Sequence, residues 1–199
     1  MTDIYVGIDP GSKNCALVAW SPSKGLITTW KPRGTMPKGV LRLRKLMEEI
    51  GQEFIKLARD DLQGRVCLIC MEGYSMAERY GQHASGEVGA AIKLAVLSMF
   101  DPQDRRGYPV IVTPQQLKKF VTGNGNFKGE MMSKEVLKRW GVDFPNNDLA
   151  VAYGLARLAH AIDADPEGLT QFQRDVVVAL DGRTEFDSTA TRRLVRVGR

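Results

Sequence analysis

With 199 residues and 43% hydrophobic content, the chain is long enough for one real core and short for two full domains. Its 28 Lys and Arg against 23 Asp and Glu leave a net charge of +5, which suits a polyanionic partner without identifying one. No apolar run approaches the ~20 residues of a membrane span, and the opening MTDIYVGIDPGSK lacks a basic-then-apolar leader pattern, so a cytoplasmic protein is expected, in a bacterial cell or in the host of a phage. Ile4, Val6 and Ile8 alternate in a strand that ends on the turn Asp9-Pro10-Gly11-Ser12, with further strands at Cys15 to Trp20 and Gly25 to Trp30. Such short connections predict an antiparallel meander.

From Lys38 to Asp60, Val40, Leu43, Leu46, Met47, Ile50, Phe54 and Leu57 recur at helical spacing, and the apolar run Val66 to Met71 then reads as a buried strand. Its Cys67 and Cys70 are expected in the core on opposite faces, since side chains alternate along a strand; His83 and His160 have no partner at ligand spacing. Gly86 to Phe100 reads as a helix, Val110 to Val112 as a strand, and Pro114 to Val121 as a helix that opens on proline. After the turn Gly123-Asn124-Gly125-Asn126, a basic helix runs from about Gly129 to Trp140, and Pro145-Asn146-Asn147-Asp148 starts another that reaches Ile162. The order predicts an α/β fold with a mixed sheet flanked by helices. Past Asp165-Pro166 the pattern weakens towards a basic end, so 1–163 is expected as the domain and 164–199 as an extension with a basic tail.

Three acids stand where an acid is structurally awkward: Asp9 at the end of an apolar strand, Glu72 after six apolar residues, and Asp148 at the opening of an apolar helix. Each has an ordinary explanation as a turn or cap residue, weakest for Glu72, whose charge needs a cation or donor to offset desolvation. Together they suggest a site for a hard cation, since carboxylate oxygens suit Mg²⁺ and Mn²⁺. Two such ions, roughly 3.5 to 4 Å apart, could activate water and stabilise the leaving oxygen of a phosphodiester. That chemistry needs no Ser, Cys or His nucleophile.

Gly7-Ile8-Asp9-Pro10-Gly11-Ser12 resembles the first motif of the RuvC-type Holliday-junction resolvases. Met71-Glu72 ends a strand as their second acid does, Thr113-Pro114 through Lys128 looks like their basic glycine segment, and the helix from Asp148 is similar to their last motif. The resemblance spans roughly residues 4 to 162. It implies an RNase H-like fold with a five-stranded sheet, a three-strand antiparallel meander plus parallel strands. It also implies catalytic, metal-binding Asp9, Glu72 and Asp148, Mg²⁺ with Mn²⁺ as a substitute, a homodimer, and nicking of four-way DNA junctions in recombination and repair. Lys118, Lys119 and Lys128 are the implied DNA-binding lysines, and Tyr74 is a shifted counterpart of an aromatic residue that stacks on a base, beside Tyr80 in the same segment.

The chain departs from that pattern in its last motif. The family carries two ligands three residues apart on one helix face, whereas this helix reads Asp148-Leu149-Ala150-Val151. In one register Val151 replaces the second ligand; in the other Pro145 replaces the first, with Asp143, Asn146 or Asn147 as possible substitutes. A branched-DNA-binding protein with impaired cleavage is therefore the first alternative, and an actin-like phosphotransferase, which also opens on a meander with an Asp and Gly turn, the second.

Overall fold

The computed structural model describes residues 1–11, 15–32, 34–35, 37–58, 64–73 and 82–180. Alternation in β1 (Thr2–Pro10) sends Ile4, Val6 and Ile8 to one face of the sheet and Tyr5 to the other, with Gly7 and Asp9 in phase with Tyr5. β2 (Cys15–Ser21) and β3 (Gly25–Trp30) continue antiparallel, completing the expected meander. β4 (Gly64–Glu72) adds parallel to β1, and β5 (Val110–Val112) parallel to β4, giving the order β3-β2-β1-β4-β5. This is the predicted mixed five-stranded sheet.

Helices cover both faces. α1 (Val40–Leu57) and α2 (Gln82–Leu97) pack on the side of Ile4, Val6, Ile8, Leu17, Ile69 and Met71. On α1 the buried stripe is Leu46, Ile50, Phe54 and Leu57, while Val40 stays 79% exposed, so the apolar repeat overruns the sheet at its start. α3 (Pro114–Thr122), α4 (Met132–Trp140) and α5 (Asn147–Ala164) build the second core with Tyr5, Val18, Cys70 and Val112. Each large side chain buried in these cores contributes about 1.5–3 kcal/mol.

Two readings of the sequence need correction or extension. Cys67 and Cys70 do not face opposite sides: Ile4 pairs with Val66 but Tyr5 with Leu68, so Cys67 is the extra residue of a β-bulge. The bulge shifts the alternation by one, and both thiols lie towards the α5 core, Cys70 buried and Cys67 only half-buried at its edge. Beyond residue 163, α6 (Gln171–Leu180) packs on α3 and α5, with Val176 and Leu180 in the same core as Tyr153. The basic tail, Tyr74 and Tyr80 lie outside the described residues.

The position of α5 is set by a missing side chain. A Cβ built on Gly7 would lie 1.9 Å from the Ala152 carbonyl oxygen, 2.5 Å from Ala156 N and 2.7 Å from Leu155 Cβ. Only glycine lets the helix backbone rest directly on β1 at this point. On the far side of α5, a Cβ on Gly154 would stand 3.0 Å from Val121 Cγ2 and 3.3 Å from Leu117 Cδ1, side-chain atoms of α3 that can shift. Gly7→Ala is therefore expected to lower stability by ~3 kcal/mol or more, and Gly154→Ala by about 1 kcal/mol, as read from urea midpoints. Equal, small losses would mean that α5 is free to move off the sheet.

Candidate active site

Three strands end at one level of the sheet. Trp30, Leu17, Ile8 and Met71 form a row across β3, β2, β1 and β4 and point towards α1 and α2. One residue further along each upward strand stand Lys31, Asp9 and Glu72, whose side chains by alternation take the opposite face, under the start of α5. Neighbouring strands lie about 4.8 Å apart, so Asp9 and Glu72 are side by side.

Both carboxyls are only half-exposed. Burial, then repulsion from Glu72 and Asp148, pushes Asp9 up to about 8, against a hydrogen bond from the Gly11 backbone and the charge of Lys31. Burial likewise pushes Glu72 up to about 7, with the Lys118 ammonium opposing it. Desolvated, mutually repelling oxygen donors are the chemistry a hard divalent cation relieves, so Asp9 and Glu72 fit one.

Asp148 comes from above. Asn146 caps α5 by accepting from the Leu149 amide at 3.0 Å, so Asp148 does not serve as the cap and sits in the first turn, where the helix dipole favours an anion. Its Oδ2 accepts a 2.5 Å hydrogen bond from Lys31 Nζ, and both side chains are 28% exposed. With Asp148 turned to Lys31, no three acid, His or Cys side chains among the described residues form a ready-made metal cluster. The site is thus a facing acid pair with a third carboxylate within electrostatic reach.

Neither asparagine offered as a substitute ligand has a free carbonyl oxygen of the kind that role needs. Asn146 is occupied as the cap, and Asn147 Oδ1 accepts from Ser133 N at 3.2 Å while its Nδ2 donates to Gly129 O at 2.7 Å. Asn147 instead ties the basic segment to the start of α5. Asp143 is exposed, and Val151, at 9% exposure, belongs to the core.

The predicted lysines divide. α3 opens with a capping box between Thr113 and Gln116 and carries Lys118 towards Glu72. A Cβ on Gly129 would lie 3.8 Å from Lys118 Nζ, so the turn holding exposed Lys128 folds against this ammonium. Gly123, at φ 84°, ends α3 in the left-handed conformation that starts the turn. Lys119 points elsewhere and pairs with Asp175 of α6 at 3.2 Å. Lys31 is the residue that sequence reasoning missed. Its signal was the register, since Trp30-Lys31 repeats the apolar-then-charged ending of Ile8-Asp9 and Met71-Glu72.

Both acids have folded pKa values above their ordinary 3.8 and 4.5, so the folded state holds more protons across that interval. In the presence of a chelator, stability is expected to be fullest below pH 4 as far as these groups are concerned, and to fall as pH rises through 7 to 8. Asp9→Asn should flatten this dependence and exceed the parent at pH 8 by on the order of 2 kcal/mol, a value reduced for solvent access. Urea midpoints that climb with pH in the parent, and more so than in Asp9→Asn, would contradict the burial of this pair.

No protein-family model matches the chain, and no curated protein sequence matches it. Among solved structures, it is similar to Thermus thermophilus RuvC, with a TM-score of 0.59 and 13% identity over 91% of this chain and 98% of that one. It is also similar to T. thermophilus RuvC in complex with Holliday junction substrate, with a TM-score of 0.59 and 17% identity over 79% of this chain and 92% of that one. At such identities the shared property is the fold: the chain has the RNase H-like α/β fold of RuvC.

Proposed function

We propose that the chain is a divalent-metal-dependent endonuclease that nicks Holliday junctions or other branched DNA, acting in the cytoplasm in recombination and repair. The observation that carries this reading is the half-buried pair Asp9 and Glu72, with Asp148 in reach, at the strand ends of a fold shared with a protein solved on a Holliday junction substrate. Asp9, Glu72 and Asp148 would hold Mg²⁺, or Mn²⁺ in its place. The cation supplies Lewis-acid stabilisation of the negative charge that builds on the phosphodiester.

The chain's own residues do the rest. Lys118 faces the acids from α3 and meets a phosphate beside them, while exposed Lys128 extends the contact along the strand. The glycines of the intervening turn let backbone amides approach the same phosphates. Asn147 keeps this cationic turn in register with Asp148, so DNA held by the lysines is presented to the acids. Lys119, engaged with Asp175, contributes less. Tyr74 remains the residue assigned to stacking on a base near the branch. Symmetrical nicking of a four-way junction asks for two sites, which we assign to a homodimer. Exposed apolar Val40 and Leu41 on α1 and Leu94 on α2 leave a surface that a second copy would cover.

Glu72→Gln is expected to abolish nicking of a synthetic four-way junction in Mg²⁺ while binding persists, since shape is kept and charge lost. Losing ~3 kcal/mol of transition-state stabilisation corresponds to about 100-fold in rate. Turnover near that of the parent would remove Glu72 from the catalytic set. Binding without cleavage by the parent would favour the impaired-cleavage alternative, which draws on the Lys31–Asp148 ion pair and on Val151.

Neutralising Lys118 and Lys128 together should weaken binding to all branched substrates and reduce the slope of log affinity against log salt by about 1 to 2, as phosphate contacts release counterions. A slope equal to the parent's would assign both lysines to ordinary solvated surface.

A further inference from the structure

We infer that Lys31 takes the place of a second divalent cation, so that each protomer holds one metal ion and one tethered ammonium among its three acids. The inference rests on the metal-dependent reading above and concerns how the charge of that site is balanced. Lys31 stands in the same row as Asp9 and Glu72, on the same face of the sheet, and its Nζ lies 2.5 Å from Asp148 Oδ2. Its charge also acts on Asp9, so two of the three acids lie within its electrostatic reach. Both partners of the ion pair are 28% exposed, which places the ammonium at the half-buried acid site and not out in solvent.

Charge balance argues for a single ion. Ionised Asp9, Glu72 and Asp148 carry three negative charges, against which Lys31 and Lys118 already set two positive ones, so one divalent cation more than completes the balance. Two divalent cations with both lysines would leave three positive charges unbalanced before any DNA arrives. At a half-buried site such an excess is expensive, since like charges repel more strongly where water is partly excluded.

Donor supply argues the same way. One oxygen of Asp148 is taken by Lys31, Asn146 and Asn147 are committed to backbone groups, and Val151 offers no donor one turn along. Among the described residues, the start of α5 therefore leaves one carboxylate oxygen for a cation. The lysine and the absent acid at position 151 explain each other: a site with one ligand fewer takes a cation that needs no ligands, fixed to the chain.

Counting Mn²⁺ bound to the full-length protein by the loss of its free paramagnetic resonance signal tests this without reference to cleavage. The parent and Lys31→Arg, which keeps the charge, are expected to bind one Mn²⁺ per protomer. Lys31→Met should bind a second, or bind the first at least tenfold more tightly. Two ions on the parent, or one ion of unchanged affinity on Lys31→Met, would overturn the proposal, and Mg²⁺-dependent nicking by the parent would then leave the nuclease reading intact. A parent that neither binds Mn²⁺ nor nicks DNA would overturn both.

Discussion

The contact between Gly7 and α5 governs the distance over which the acids can meet. A helix normally packs on a sheet with side chains interposed, but here the backbone at Ala152 to Ala156 rests against a residue that has none. The small side chains of Ala150, Ala152, Ala156 and Ala159 continue the same close fit along the helix. Because α5 starts beyond the end of β1, lowering the helix onto the strand also lowers Asp148 towards Asp9. Packing and function therefore share one cause. The glycine two residues before the first acid is a structural residue whose effect is felt at the site.

That closeness sets stability against function. Bringing Asp9, Glu72 and Asp148 together at half-buried strand ends raises the free energy of their charged forms, and the fold offsets it only in part. Lys31 answers Asp148 and Asp9 from β3, Lys118 answers Glu72 from α3, and the dipole of α5 favours Asp148. Each cation reaches the acids from a different element, so the balance exists only in the folded chain. A divalent cation held there, as proposed, would complete it more strongly than either lysine, and would couple metal affinity and folding stability through the same carboxylates.

What could be read in the sequence was whatever repeats locally. The meander, the α1 stripe, the β4 run and the start of α5 follow from alternation, helical spacing and turn residues within a window of a few positions. Asp9 and Glu72 were legible because an acid closing an apolar strand violates the local pattern. Lys31 violated nothing, since a lysine before a proline in a polar stretch is ordinary; its meaning comes from a register that aligns residues 31, 9 and 72 across three strands. The bulge at Cys67 is equally non-local, set by how β1 pairs with β4 and not by β4 alone. α6 was missed because only Gln173, Val176 and Leu180 of its ten residues are buried, too short a stripe to stand out.

Asn147 shows how a residue chosen for one role can be assigned another by its neighbours. Sequence spacing put it near the acids and its amide oxygen made it a possible ligand. Both ends of the amide are instead spent on the start of α4 and the turn before it, where Ser133 N and Gly129 O lie. An amide suits this position because it presents a donor and an acceptor at once, which a carboxylate cannot. The bond crosses from the start of α5 to the cationic turn, and the same turn abuts Lys118. The charge of Lys118 in turn acts on Glu72, so Asp148, Asn147, Gly129, Lys118 and Glu72 form a path from α5 through the basic segment to β4 whose last step is electrostatic. The elements that would hold phosphate and the elements that would hold metal are consequently coupled, and a shift of the basic turn would carry the charge balance of the acids with it.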